Sequence, residues 1–207
     1  TTGCAITTTI TVNPLPAGIS VSGSLEFCEG STVSLSDSDP GGAWSSSDVT
    51  LATVGTTGVV TGVAAGSPDI TYTLATGCSA VVQVTVDPLP TSVITPLGST
   101  TFCTGLSVVL DATAGGISYQ WNNASGPIAG ETNSSYTASA SGSYTVDITN
   151  GFGCTGTSAV VVVTAGIAAT IDYTTALNFC IGDSVTLTAD AGGASGTISY
   201  QWMKDGV

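Results

Sequence analysis

Ile117, Tyr119 and Trp121 alternate with Ser118 and Gln120, and further on Tyr144, Val146 and Ile148 alternate with Thr145 and Asp147. Alternation with a period of two puts one face of a strand against a core and the other in water. Weaker versions of the pattern predict strands at Thr32–Ser36, Leu51–Val54, Gly58–Thr61, Asp69–Leu74, Ala80–Val86, Ser158–Val163 and Ser184–Ala189. Ala5–Val12, rich in Thr and β-branched residues, reads as one more. Between these runs lie clusters of Gly, Pro, Asp and Ser, which are turn chemistry. No window keeps a helical apolar period over ten or more residues. The chain reads as all-β.

The pattern also repeats. Phe27-Cys28-Glu29-Gly30-Ser31-Thr32-Val33 returns as Phe102-Cys103-Thr104-Gly105-Leu106-Ser107-Val108 and as Phe179-Cys180-Ile181-Gly182-Asp183-Ser184-Val185. A second signal, Gly followed by Cys, recurs at Cys4, Cys78 and Cys154. Self-similarity at a fixed period marks an array of like modules, here of about 75 residues. The period divides the chain into 1–14, the end of a preceding module; 15–90, module one; 91–166, module two; and 167–207, the first half of a third. Asn13-Pro14-Leu15-Pro16 and Asp87-Pro88-Leu89-Pro90 fall at the same phase and read as short, stiff linkers. The sequence thus reads as a window cut from a longer array.

Units of this size bury little core and commonly need a staple. Six Cys in register with the repeat, with no Cys-x-x-Cys pair and no His, read as disulfides in an oxidising, extracellular or cell-surface setting. Six Cys allow fifteen pairings. The phase of the repeat predicts Cys28–Cys78 and Cys103–Cys154, with Cys4 and Cys180 pairing outside the window. A head-to-tail bond between Cys180 of one copy and Cys4 of the next is the alternative. Each first Cys precedes its strand and each second Cys follows a hairpin turn, so the expected bond clamps one end of a module.

Charge narrows the partners. Charged residues are 7% of the chain, Lys204 is its only Lys or Arg, and the net charge is -13. Nucleic acid and anionic lipid both require clustered cations and are excluded. The mean hydropathy is +0.44, but the longest apolar stretch, Ala159–Ile171, is broken by Thr164 and Gly166 and is too short to span a bilayer. No membrane insertion is expected. The partners left are copies of the chain, neighbouring modules and surface polysaccharide.

Candidate chemistry is sparse. Asp37-Ser38-Asp39-Pro40-Gly41-Gly42 with Asp48 nearby offers hard oxygen ligands for Ca²⁺, although an Asx-rich turn solvating its own backbone explains the same residues. No base stands beside a nucleophile in any motif, so the reading is of a protein that is not an enzyme and holds no cofactor. Trp44 and Trp121, and Tyr72 and Tyr144, share a phase and are expected to be core or cap residues of their modules. The loops Asp37–Gly42 and Asn122–Glu131 are the candidates for polysaccharide contact.

Module one resembles the bacterial immunoglobulin-like domain of group 2. The resemblance is carried by Trp44-Ser45-Ser46-Ser47-Asp48-Val49-Thr50-Leu51-Ala52-Thr53-Val54, by Gly58-Val59-Val60-Thr61-Gly62-Val63-Ala64-Ala65-Gly66, and by Ile70-Thr71-Tyr72. Module two and the partial third resemble immunoglobulin-like and PKD-like repeats of large secreted Bacteroidetes proteins. They do so through Ser118-Tyr119-Gln120-Trp121, its copy Ser199-Tyr200-Gln201-Trp202, Pro127–Asn133 and Gly142–Val146. The resemblance implies tandem seven-stranded immunoglobulin-like sandwiches, strung into the stalk or fibre of a secreted or cell-surface bacterial protein, with self-assembly into an extracellular filament as the extended form of that expectation. An adhesin or carbohydrate-binding accessory module is the alternative it implies.

Overall fold

The structure is a computed structural model that describes residues 8–166, 170–173, 181, 184–190 and 201–202. Among these residues every regular element is a strand, and no helix is long and apolar enough to cross a membrane. The chain divides into two compact units, Thr1–Pro90 with Thr149–Gly156, and Thr91–Ile148 with Thr157–Val207. Residues 8–12, expected to finish a strand, are exposed and join no ladder. Residues 5–7 of that expected strand lie outside the described residues.

The first unit holds β1 (Ser20–Ser22), β2 (Glu26–Cys28), β3 (Thr32–Ser36), β4 (Ala43–Ser46), β5 (Ala52–Val54), β6 (Val59–Gly62), β7 (Asp69–Thr73), β8 (Ser79–Gln83) and β9 (Thr85–Asp87). One sheet has the order β1-β3-β6-β5 and the other β4-β7-β8. These orders are those of a constant-type immunoglobulin sandwich. In β3 the alternation is clean: Val33 and Leu35 are buried while Thr32, Ser34 and Ser36 face water. They meet Ala52, Val60, Ile70, Val84 and Val86 to form the core.

The last strand of this sandwich is broken in two, and the break matters below. β8 runs antiparallel to β7, and beyond the buried Val84 the chain gains a second partner: β9 runs parallel to β2 while Val86 still bridges Gly66. Val84 N donates to Pro68 O at the break, at 3.1 Å. Cys28 therefore ends β2 in register with Asp87 at the end of β9.

The second repeat contains β10 (Ile94–Pro96), β11 (Thr101–Cys103), β12 (Val108–Ala112), β13 (Ser118–Asn123), β14 (Gly126–Pro127), β15 (Ser135–Ala138), β16 (Gly142–Thr149), β17 (Thr155–Thr157) and β18 (Val161–Gly166), all in the second unit except the Thr149–Gly156 stretch of β16 and β17. Its sheets are β10-β12-β15 and β11-β18-β16-β13-β14, with β17 also pairing β16. The same device recurs, since β18 is antiparallel to β16 and parallel to β11, with Cys103 in register with Gly166. Trp121 is fully buried at the centre of this core, and its Nε1–H donates to Asn133 O at 2.9 Å. Beyond it, β19 (Thr170–Tyr173) and β20 (Leu187–Asp190) form an antiparallel pair.

Two aromatic pairs that share a phase in the sequence do different work. Tyr72 lies on β7 against Trp44, with ring centroids 4.7 Å apart. Its Oη–H donates to Asp39 O at 2.6 Å and accepts from Gly42 N at 3.0 Å. Tyr144 lies near the start of β16 and donates to Ala140 O at 3.0 Å, tying down the turn that feeds the strand. Trp44 is half-buried, whereas Trp121 is sealed.

Candidate functional site

The cysteines fall into two structural classes. Cys28 and Cys103 end short strands, and each is followed by the same backbone contacts. Glu29 N donates to Asp87 O at 2.9 Å and Thr104 N to Gly166 O at 2.8 Å, while Ser31 N returns to Cys28 O and Leu106 N to Cys103 O. Cys78 and Cys154 close hairpins of one design. Leu74 N donates to Cys78 O and Gly77 N to Leu74 O; Asn150 N donates to Cys154 O and Gly153 N to Asn150 O, all at 2.9–3.0 Å. The residue before each hairpin Cys is Gly77 or Gly153, with φ of 85° and 84°, where a Cβ is disfavoured.

The disulfide joins one member of each class, Cys28 to Cys154, with the Cα atoms 5.6 Å apart and a sequence separation of 126. Cys78 and Cys103 are thiols. This differs from the expected pairs Cys28–Cys78 and Cys103–Cys154, and the strand geometry gives the reason. Cys78 precedes β8, whereas Cys28 stands beside Asp87 at the end of β9. At about 3.3 Å per residue the intervening run spans roughly 30 Å, and a disulfide needs Cα atoms closer than about 7 Å. Cys103 and Cys154 are separated in the same way, because Cys103 stands beside Gly166 while Cys154 precedes β17. Each expected bond would have had to cross the length of a sandwich. The bond instead links a strand end of the first repeat to the hairpin of the next. Cys4 and Cys180 lie outside the described residues.

The hairpin around Cys154 is held by the first residue of its Asn150-Gly151-Phe152-Gly153 turn. Asn150 Oδ1 accepts from Phe152 N at 3.1 Å and Cys154 N at 3.0 Å, and its Nδ2 donates to Pro88 O at 2.8 Å. Thr149–Gly156 accordingly belongs to the first compact unit. The Asn-Gly turn signal was visible in sequence, but the reach to Pro88 was not, because Leu74 occupies the matching position in the other hairpin.

The three candidate Ca²⁺ ligands are not brought together. Asp37 Oδ1 accepts from Asp39 N at 2.9 Å and Asp39 Oδ2 from Ala17 N at 2.7 Å, both before β4. Asp48 follows β4 and is engaged by Thr50, through its N at 2.9 Å and its Oγ1 at 2.5 Å. These two bonds, the hydroxyl's first, hold the Asp48 carboxyl below its ordinary pKa. Asp48 thus serves its own turn, at the far end of a strand from the other two. Among the described residues no group of three His, Cys, Asp or Glu is placed to hold a metal.

The two candidate loops are largely exposed, and several of their polar groups are engaged locally. Asn122 Nδ2 donates to Asp147 Oδ2 at 2.9 Å, and Asn123 Oδ1 accepts from Ser125 N at 2.8 Å. Asp39, Pro40 and Gly41 line a groove of about 550 Å³ with Pro14, Leu15 and Leu74, apolar on most of its walls.

Residues 6–86 match the family of the bacterial Ig-like domain (group 2). No curated protein is significantly similar in sequence. In structure the chain is similar to murine CEACAM1b, with 16% identity, 72% of this chain and 100% of that chain covered, and a TM-score of 0.34. It is also similar to the three N-terminal domains of the highly immunogenic outer capsid protein of bacteriophage RB49, with 16% identity, 86% and 70% covered, and a TM-score of 0.33. Drosophila OTK extracellular domains 3-5 show 15% identity, 71% and 61% covered, and a TM-score of 0.34.

Proposed function

We propose that the chain is a load-bearing segment of an extracellular or cell-surface stalk, in which consecutive immunoglobulin-like repeats are bonded to one another by disulfides. Immunoglobulin-like domains typically act as non-enzymatic structural or adhesion modules, which supports the coarse reading. The observation that carries the finer one is the Cys28–Cys154 bond. A disulfide inside one sandwich would secure that sandwich alone. A bond from one repeat to the next gives the array a second covalent path beside the backbone. Tension entering at Cys28 and leaving at Cys154 passes through sulfur, and the residues between them, a separation of 126, carry none of it. Disulfides persist in oxidising compartments, so the mechanism also requires the extracytoplasmic setting.

The partners in this reading are repeats of the same kind, in the same chain or in further copies, and assembly into a filament is its extended form. Electron microscopy of the native material tests it. Beaded strands or fibres with a regular repeat are the expected result. Compact particles without extended segments would overturn it.

A further inference from the structure

The two remaining described cysteines are not left over at random: one belongs to each class. Cys103 ends its strand as Cys28 does, with the same parallel ladder, the same onward hydrogen bonds and the same Phe before it. It is exposed. Cys78 closes its hairpin as Cys154 does, with the same two backbone bonds. It is part-exposed, and its Sγ–H points to Asn13 O at 3.7 Å. The bonded pair shows what each class is built to take, since a strand-end sulfur meets the hairpin sulfur of the repeat that follows. Within the chain Cys103 and Cys78 cannot complete each other in that sense, because the rule sends Cys103 forward to a later repeat and Cys78 back to an earlier one.

We propose that Cys103 and Cys78 are disulfide-forming sites of opposite polarity. Cys103 takes a hairpin cysteine, of the Gly-Cys kind, from a following repeat, and Cys78 takes a strand-end cysteine, of the Phe-Cys kind, from a preceding one. The repeat that supplies the partner is either an adjoining one in the same chain or one in a second copy of it, joined head to tail. This inference rests on reading the chain as a disulfide-linked array and adds the direction of the links. A rule of this polarity forbids like-with-like bonds, so an array can grow only in one sense.

The chemistry is thiol–disulfide exchange with a small-molecule disulfide such as oxidised glutathione. The Cys103 thiolate attacks one sulfur of the oxidant, forming a mixed disulfide and expelling one glutathione thiolate. The hairpin thiolate of the incoming repeat then attacks Cys103 Sγ and expels the second. Two thiols have become one disulfide, and the two electrons and two protons are carried off by the two glutathione thiols.

The test is disulfide mapping of two oxidised proteins: the 207-residue chain, and the same chain with a second 91–166 inserted after the first, the added copy marked in mass by Thr104→Ser and Thr155→Ser. Pepsin at acid pH is used, because exchange is suppressed there and trypsin has only Lys204 to cut at. In the duplicated chain the unmarked Cys103 peptide is expected to be bonded to the marked Cys154 peptide of the added repeat. A bond there identifies the adjoining repeat as a source. In the 207-residue chain, disulfide-linked multimers joining Cys103 only to Gly-Cys peptides identify a second copy as a source. Alkylatable Cys103 in both proteins, or Cys103–Cys103 and Cys78–Cys78 bonds, overturns the inference while Cys28–Cys154 still supports the array. Recovery of Cys28–Cys78 and Cys103–Cys154 peptides from the monomeric 207-residue chain, or of Cys103–Cys154 peptides with both halves from one copy in the duplicated chain, overturns both.

Discussion

Cys28 stands opposite Asp87 in the parallel ladder of β2 and β9, at the far end of the β8–β9 run from Cys78. That one register decides which cysteine the bond reaches. It sends the bond out of the first repeat and into the hairpin that Asn150 fastens to Pro88.

Removing the bond should therefore cost far more than removing the thiol that phase alone would have paired. A closed loop of 126 residues corresponds to up to about 5 kcal/mol by the chain-entropy relation. Cys28→Ala, Cys154→Ala and the double substitution should each lose a similar amount in urea unfolding of the oxidised protein. Cys78→Ala should change stability by less than about 0.5 kcal/mol, as a surface change does. An equal loss for Cys78→Ala would contradict the pairing.

The two Trp residues should part company. Trp121 is sealed in the core and hydrogen-bonded, so Trp121→Ala should cost roughly 3–5 kcal/mol. Half-buried Trp44 should cost roughly 1–2 kcal/mol on the same change, by area removed from water. Denaturant midpoints compared between the variants check the order.

Gly58 should not tolerate a side chain. Its φ is 82°, and an added Cβ would fall 2.2 Å from Leu35 O, on the backbone of the strand that Gly58 O itself anchors. Gly58→Ala should cost roughly 2–4 kcal/mol, the range of a strained and overpacked site. Gly77 has nearly the same φ but open space beyond it, and Gly77→Ala should cost only the roughly 1–2 kcal/mol of the left-handed conformation. Equal losses would mean that the contact with Leu35 is not made.

Asp48 supplies a pH dependence of known sign. Thr50 holds its carboxyl below the ordinary carboxylate range, so the stabilisation is present above the unfolded pKa and is lost as pH falls through the lower folded pKa. Thr50→Val removes the hydroxyl donor and should raise the Asp48 midpoint in a carboxyl NMR titration. An unchanged midpoint would show that the hydroxyl does not bear on it.

How far the sequence carried depended on which physical signal each element used. β3 and β16 were readable because each buries every second residue, and that pattern survives in the one-letter code. Ala43–Ser46 was missed as a strand because none of its residues is fully buried, so no alternation marks it. Ala80–Val86 read as one strand, and nothing in its composition marks Val84 as the point beyond which the chain gains a second partner. That break is also why the disulfide was misassigned. A repeat fixes the two classes of cysteine, but it fits a bond within one module as well as a bond to the next. Only the register of Cys28 with Asp87 separates the two. Asp37, Asp39 and Asp48 were close in sequence yet divided by a strand, which sequence proximity does not reveal.

The most direct test of a sulfur load path is single-molecule pulling on the chain through its two ends, with and without reductant. The residues between Cys28 and Cys154 would span on the order of 430 Å if fully extended, at about 3.4 Å each. Under oxidising conditions that length should be missing from the total extension, and dithiothreitol should restore it. Full extension before any reductant is added would contradict the account.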